Sequence, residues 1–185
     1  MSRGFSLVEM MVVVVVFGML LAMGIPNYRI WMENTRIRNA ADSIQAGIQK
    51  ARVEALKYNA PVRFTLVGGD SEWEVGCVTP VADGDGDGRE DCPTVIEHRK
   101  AKEGSANITV LATPADAAEV IFNSLGVIQV NPAPPSPAFT QVDIDSNLLE
   151  ATDSRDLRIL VGVSGSTRVC DPSPELDVAD PRRCP

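Results

Sequence analysis

The stretch that decides the fold runs Gly4-Phe5-Ser6-Leu7-Val8-Glu9-Met10-Met11-Val12-Val13-Val14-Val15-Val16-Phe17-Gly18-Met19-Leu20-Leu21-Ala22-Met23-Gly24-Ile25-Pro26. No residue from Met10 to Ile25 is charged, and Glu9 is the single charge in the twenty-one residues from Phe5 to Ile25. A helix of that length rises about 30 Å, the thickness of a bilayer's hydrocarbon core. Three ordinary readings compete. A cleaved secretory signal fits the positive start Met1-Ser2-Arg3-Gly4, the apolar run and the small residues around Ala22-Met23-Gly24. A plain signal anchor fits the same run. A buried core helix is disfavoured by the length. Glu9 decides between them. An ionised carboxylate near the start of an apolar span costs about 2–4 kcal/mol, and neither a signal peptide nor an anchor needs one. It makes sense where a positive partner meets it. Gly4 before Phe5 offers a protease a sterically open bond, and cleavage there would create an ammonium at Phe5, four residues from Glu9.

Gly4-Phe5-Ser6-Leu7-Val8-Glu9-Met10, followed by the apolar run, resembles the class III signal of type IV prepilins and type II secretion pseudopilins. The resemblance implies that a prepilin peptidase removes residues 1–4 as a leader, cutting between Gly4 and Phe5, and methylates the Phe5 amine. It implies that Glu9 pairs with the N-terminal amine of a neighbouring subunit during assembly. Pro26 falls where many pilins kink their long helix.

After Pro26 the helical pattern continues in another form. Ile37, Ala41, Ile44, Ile48, Ala51 and Ala55 follow one another at spacings of 4, 3, 4, 3 and 4, a single apolar stripe. Arg36, Arg38, Asp42, Gln45, Gln49, Lys50, Arg52 and Lys57 fill the other faces, and Asn59-Ala60-Pro61 stops the helix. Residues 5–26 are therefore read as a transmembrane half and residues 27–60 as an amphipathic half. Small alanines in the stripe favour close packing on the chain's own sheet over a free coiled coil.

Residues 61–185 read as a β-rich head. Val62–Val67 and Trp73–Val78 form a hairpin across Gly68-Gly69-Asp70. Further strands are expected at Val95–Arg99, Ile108–Ala112, Glu119–Phe122, Val127–Val130, Thr140–Ile144, Leu157–Val163 and Thr167–Cys170. Short strands separated by turn residues imply an antiparallel sheet, so the fold class is α+β: a long N-terminal helix packed on antiparallel β-structure, as in type IV pilins. Asn131–Ala138 holds four prolines in eight residues and reads as a stiff connection. The tail from Asp171 to Pro185 reads as irregular and loose unless tied down.

Three segments resemble the GspH/FimT group of minor pilins and minor pseudopilins. They are Trp73-Glu74-Val75-Gly76-Cys77, Ile121-Phe122-Asn123-Ser124-Leu125-Gly126, and the run from Leu157-Arg158-Ile159 to Gly165-Ser166-Thr167-Arg168-Val169-Cys170. Members of that group carry a long helix and two small β-sheets. The resemblance implies a non-enzymatic minor pilin that primes or caps a type IV pilus. Such a subunit is held in the inner membrane by one pass before incorporation, with its head in the periplasm. Its partners would be other minor and major pilins or pseudopilins, the prepilin peptidase and membrane lipid. An H-type minor pseudopilin of type II secretion is the first alternative, and a FimT-like DNA-uptake pilin the second. DNA-binding members present Gly-Arg-x-Arg near the C-terminus, whereas this chain has Gly165-Ser166-Thr167-Arg168. Net charge is −8, from 17 Lys and Arg against 25 Asp and Glu, which further disfavours nucleic acid.

Cys77, Cys92, Cys170 and Cys184 all lie beyond the apolar span, and an even count there suits an oxidising compartment. No C-x-x-C pair favours zinc. Four cysteines allow three pairings. The sequence-local one, Cys77–Cys92 with Cys170–Cys184, is preferred because it closes the two loops most in need of ties. Inside the first loop, Asp83, Asp85, Asp87 and Asp91, with the Arg89 carbonyl, resemble a short calcium loop of form D-x-D-x-D-x-x-x-D. Position twelve is Thr94, so the EF-hand pattern fails. A solvated Asp-Gly turn fits the same residues, and both readings stand. His98 is the one histidine and sits in a polar strand expected at the surface. No nucleophile–base pair and no phosphate-binding loop is evident.

Overall fold

The computed structural model describes residues 6–84, 91–130 and 137–185. The expected leader, Gly4 and Phe5, the central residues of the acidic loop and most of the Pro-rich connection lie outside them. The first element is one helix, α1, Leu7–Tyr58. It runs through Pro26 without a break in assignment. It ends where Asn59 turns left-handed (φ 49°) and donates its amide to the Ala55 carbonyl, a termination suited to asparagine. Pro61 bars any continuation.

Among the described residues nine strands follow: β1 Val62–Val67, β2 Glu72–Cys77, β3 Glu97–Arg99, β4 Ile108–Thr113, β5 Glu119–Phe122, β6 Ile128–Gln129, β7 Gln141–Ser146, β8 Leu157–Val161 and β9 Thr167–Cys170. They form two antiparallel sheets, ordered β3-β2-β1-β5-β6 and β4-β7-β8-β9. The helix packs against both. Every residue of the stripe, Ile37, Ala41, Ile44, Ile48, Ala51 and Ala55, is fully buried. Facing it are Val62 and Phe64 of β1, Trp73 and Val75 of β2, and Val142, Ile144 and Ile159 of the second sheet, one continuous core. Alternation inside each strand decides the register, since slipping one residue would turn Phe64 and Val142 outward. The Phe64 ring lies 5.7 Å from Trp73 and 6.1 Å from Phe139. Trp73 places its one polar atom on the helix, donating Nε1–H to Ser43 Oγ at 2.8 Å.

Two strand ends fall two residues short of the expectation. Val163 lies beyond β8 and is 84% exposed, because the chain leaves the sheet at Val161 and turns back through Gly162–Ser166. Val95 and Ile96 lie before β3. The segment from Pro93 to Ile96 does follow β2, with Cys77 N–H donating to Pro93 O and Ile96 N–H to Val75 O. Pro93 has no N–H to return, so the ladder stays incomplete there.

Gly76 is what permits that approach. A Cβ built on it would lie 1.8 Å from the Thr94 carbonyl oxygen, a backbone atom that cannot swing aside. Gly76→Ala is expected to cost about 3 kcal/mol by forcing β2 and the Pro93–Ile96 segment apart. Urea unfolding of the soluble piece from about Asn27 onward measures it, and an unchanged midpoint would mean the two segments do not touch.

Candidate functional site

The helix is built in two unlike halves. Over Leu7–Ile25 every large apolar side chain whose burial is described is exposed, from Leu21 at 50% to Leu7 at 73%. Exposed side chains of this size each stand to gain about 1.5–3 kcal/mol on full burial, so this face requires a bilayer or other helices around it. Glu9 sits in the first helical turn among these side chains. The helix start carries no side-chain cap, as Ser6 leaves its hydroxyl unused there. A carboxylate at this end also suits the positive pole of the helix dipole.

The second half is bound into the head by polar contacts from different elements. Asn34 donates to the Asp153 carbonyl and accepts from the Arg155 amide, at 2.9 and 2.8 Å. Lys50 pairs with Glu97 of β3. Gln45 and Gln49 both donate to Thr167 Oγ1 on β9, at 3.2 and 2.9 Å. The residue segments read separately from the sequence meet here. Asn123 closes the β5–β6 turn by accepting from the amides of Leu125 and Val127. Gly126 of that turn lies against Arg52 and Leu56 of the helix. Gly165, with φ +77°, brings the β8–β9 turn onto the Phe122 ring, where a Cβ would stand 2.6 Å from a ring carbon. These glycines and Thr167 form the joint between the two sheets and the helix. Nothing in this joint has the form of a reaction centre.

Both disulfides join sequence-local partners. Cys77 and Cys92 have Cα atoms 5.8 Å apart, and Cys170 and Cys184 have theirs 5.0 Å apart, both ordinary for a bridge. The second one straps the tail along the end of β9. Asp171 N–H donates to Arg182 O, and Cys184 N–H donates to Asp171 O. Sequence reasoning missed that short parallel ladder, which carries no periodic signal.

Three arginines near the C-terminus are already engaged. Arg168 donates to Pro181 O and Arg183 to Leu176 O. Arg182 grips Asp180 with two nitrogens. Its hydrogen bonds hold the Asp180 carboxyl down at about 2. A phosphate backbone would have to displace these partners. At the acidic loop, Asp91 accepts from the Gly84 amide at 3.2 Å, drawing the loop's two ends together. Asp83 and Asp91 are described, whereas Asp85, Asp87 and Arg89 lie outside the described residues. His98 is exposed, with Nε2 2.9 Å from Glu72 Oε1.

Two carboxyl groups meet next to the Asn34 contact. Ser154 Oγ lies 2.7 Å from a carboxylate oxygen of both Asp145 and Asp156. Partial burial, and then the hydrogen bond with Asp145, raise the Asp156 carboxyl above its ordinary value, while Ser154 opposes them. A raised value means the folded chain holds that proton more tightly than the unfolded chain. The resulting stability is present below the unfolded carboxylate pKa, near 4, and is lost as pH rises through the raised one. Asp156→Asn is therefore expected to melt above wild type at neutral pH, with the gap closing in acid. Equal offsets at pH 7 and in acid would assign the gain to packing instead.

Residues 40–165 match the Type II transport protein GspH family, and residues 1–25 match the prokaryotic N-terminal methylation motif. No curated protein sequence matches the chain. Two crystal structures of the type IV minor pilin FimU of Pseudomonas aeruginosa (strain PAO1) are similar. The one in space group P21 has 16% identity and a TM-score of 0.47, covering 75% of this chain and 91% of that one. The one in space group P65 has 15% identity and a TM-score of 0.44, covering 71% and 90%.

Proposed function

The chain belongs to the Type II transport protein GspH family, and from that premise we propose that it is a minor pilin that helps start or cap a type IV pilus. The observation that carries this reading is the continuity of α1. One helix joins an apolar segment with no cover of its own to a stripe buried completely under the head. Such a part has two uses for its bare half: a bilayer before assembly, and the packed helices of a filament after it. Before assembly the chain is a single-pass inner-membrane protein. Its leader, residues 1–4, lies on the cytoplasmic side, and its head faces the periplasm, where two disulfides are at home. The prepilin peptidase cuts before Phe5 and methylates it, and Glu9 then meets the Phe5 amine of a neighbouring pilin.

Deleting the gene is expected to remove surface pili or cut their number sharply. The wild-type chain should restore them and appear in sheared filaments in trace amounts. Unchanged filaments that lack the chain would contradict the reading. The family's own description favours a second one, an H-type minor pseudopilin. Its signature is loss of protein secretion with pili intact.

The calcium reading of the acidic loop rests on the spacing of Asp83, Asp85, Asp87 and Asp91 alone. Its test is the melting temperature of the soluble piece in Ca²⁺ and in chelator. A bound ion at a hundredfold excess over Kd adds about 2.7 kcal/mol, whereas identical melting curves leave a solvated turn.

A further inference from the structure

Exposed rings continue beyond Ile25. Tyr28 and Trp31 are 57% and 62% exposed, stand three residues apart on one face of the helix, and hold their rings 5.9 Å apart. The chain's other tryptophan, Trp73, is 2% exposed and hydrogen-bonded. The pair occupies the gap between the two halves of the molecule. Below it lies the apolar span. Above it the head begins, where Asn34 meets Asp153 and Arg155 and where Ile37 is fully buried. Between Met10 and Trp31 the only charged residue is Arg29, a cation.

The axial positions can be counted. At about 1.5 Å per residue, a hydrocarbon core of about 30 Å takes about 20 residues. Counted from Leu7, that core ends near residue 27. Tyr28 then stands at its edge and Trp31 about 6 Å outside, within a headgroup layer of about 5–7 Å. Rings with an apolar body and one polar atom partition into that layer.

We propose that Tyr28 and Trp31 are an interfacial anchor that seats in the lipid headgroup layer on the head's side of the membrane and sets the depth of α1. The proposal rests on the reading that Leu7–Ile25 spans the bilayer. Lipid is the occupant because the pair continues the span on the same helix without interruption and falls at the depth such rings prefer. Arg29 beside it matches lipid phosphates. Seated in this way, the pair holds the Asn34 junction about one helical turn clear of the headgroups. Release into a filament then requires the pair to leave its layer.

The test uses the full chain in vesicles of zwitterionic and anionic phospholipid. Flotation and resistance to an alkaline wash report insertion by themselves. The Trp31 emission is isolated by subtracting the spectrum of Trp31→Phe, in which only Trp73 emits. The expected result is an inserted chain whose Trp31 emission is shifted to the blue. Lipids brominated near the headgroup should quench it more than lipids brominated at the chain ends, and aqueous iodide should reach it poorly. An inserted chain with Trp31 open to iodide and unshifted overturns the anchor. So does stronger quenching from the chain ends, which puts the ring in the core, and so does protection from every quencher, which puts it against protein. A chain that fails to float or washes off overturns the membrane reading itself.

Discussion

Glu9→Leu is expected to enter the membrane and be cut as wild type does, yet to be nearly absent from filaments. Insertion improves, since replacing a carboxylate by leucine near an apolar span favours the bilayer by about 2–4 kcal/mol. Cleavage should persist, because Gly4-Phe5 is untouched. Assembly is where the cost falls. In a filament the neighbour's Phe5 amine would be a buried charge with its partner removed, a loss of about 3–5 kcal/mol, which corresponds to a drop in incorporation of between about a hundredfold and several thousandfold. Glu9→Asp should recover part of this, because the charge remains on a shorter arm. Counting wild-type and variant chains in sheared filaments from the same cells makes the comparison. Equal incorporation would mean that Glu9 does not meet the amine.

Removing both disulfides should come close to unfolding the head. Each bridge closes a loop of about fifteen residues, worth about 3 kcal/mol in the loop-entropy account. Losing two that act independently removes about 6 kcal/mol from a domain whose total stability is of order 5–15 kcal/mol. The single pairs should differ in kind. Without Cys170–Cys184, the residues after Asp171 are held to the head by exposed ties such as Arg168 to Pro181 O and the backbone bonds of Asp171 with Arg182 and Cys184, and should become the first site of proteolysis. Without Cys77–Cys92, the Pro93–Ile96 segment loses its fastening to β2 and the core around Val75 loosens. Urea midpoints of the soluble piece with and without reductant, beside limited proteolysis, read both effects. Equal midpoints would show that the bridges are dispensable.

The sequence disclosed the helix far better than it disclosed the pairing of strands. The span, the stripe from Ile37 to Ala55 and the stop at Asn59-Ala60-Pro61 are local patterns, and each has one physical meaning. The β1–β2 hairpin is local too, across Gly68-Gly69. The division into two sheets is not. β5 passes over β4 to join β1, and β4 waits for β7, choices made by burial in three dimensions. Strand limits failed where a valine stood in a turn, as at Val163. For the same reason the joint was only half legible. Gly76, Gly126 and Gly165 stood out as members of short recurring segments. The backbone, ring and helix atoms that require them are brought up from far along the chain, by Thr94, Phe122 and Arg52. Asn34 gave no signal at all, since a polar residue on a helix is ordinary until a loop some 120 residues away docks on it.

The central claim is that this chain is processed as a pilin, and the intact mass of its native membrane form tests that claim most directly. The account predicts a single species lacking Met1–Gly4 and carrying one added methyl group at Phe5. A chain that begins near Ile25, with Glu9 and the apolar span removed, would contradict it.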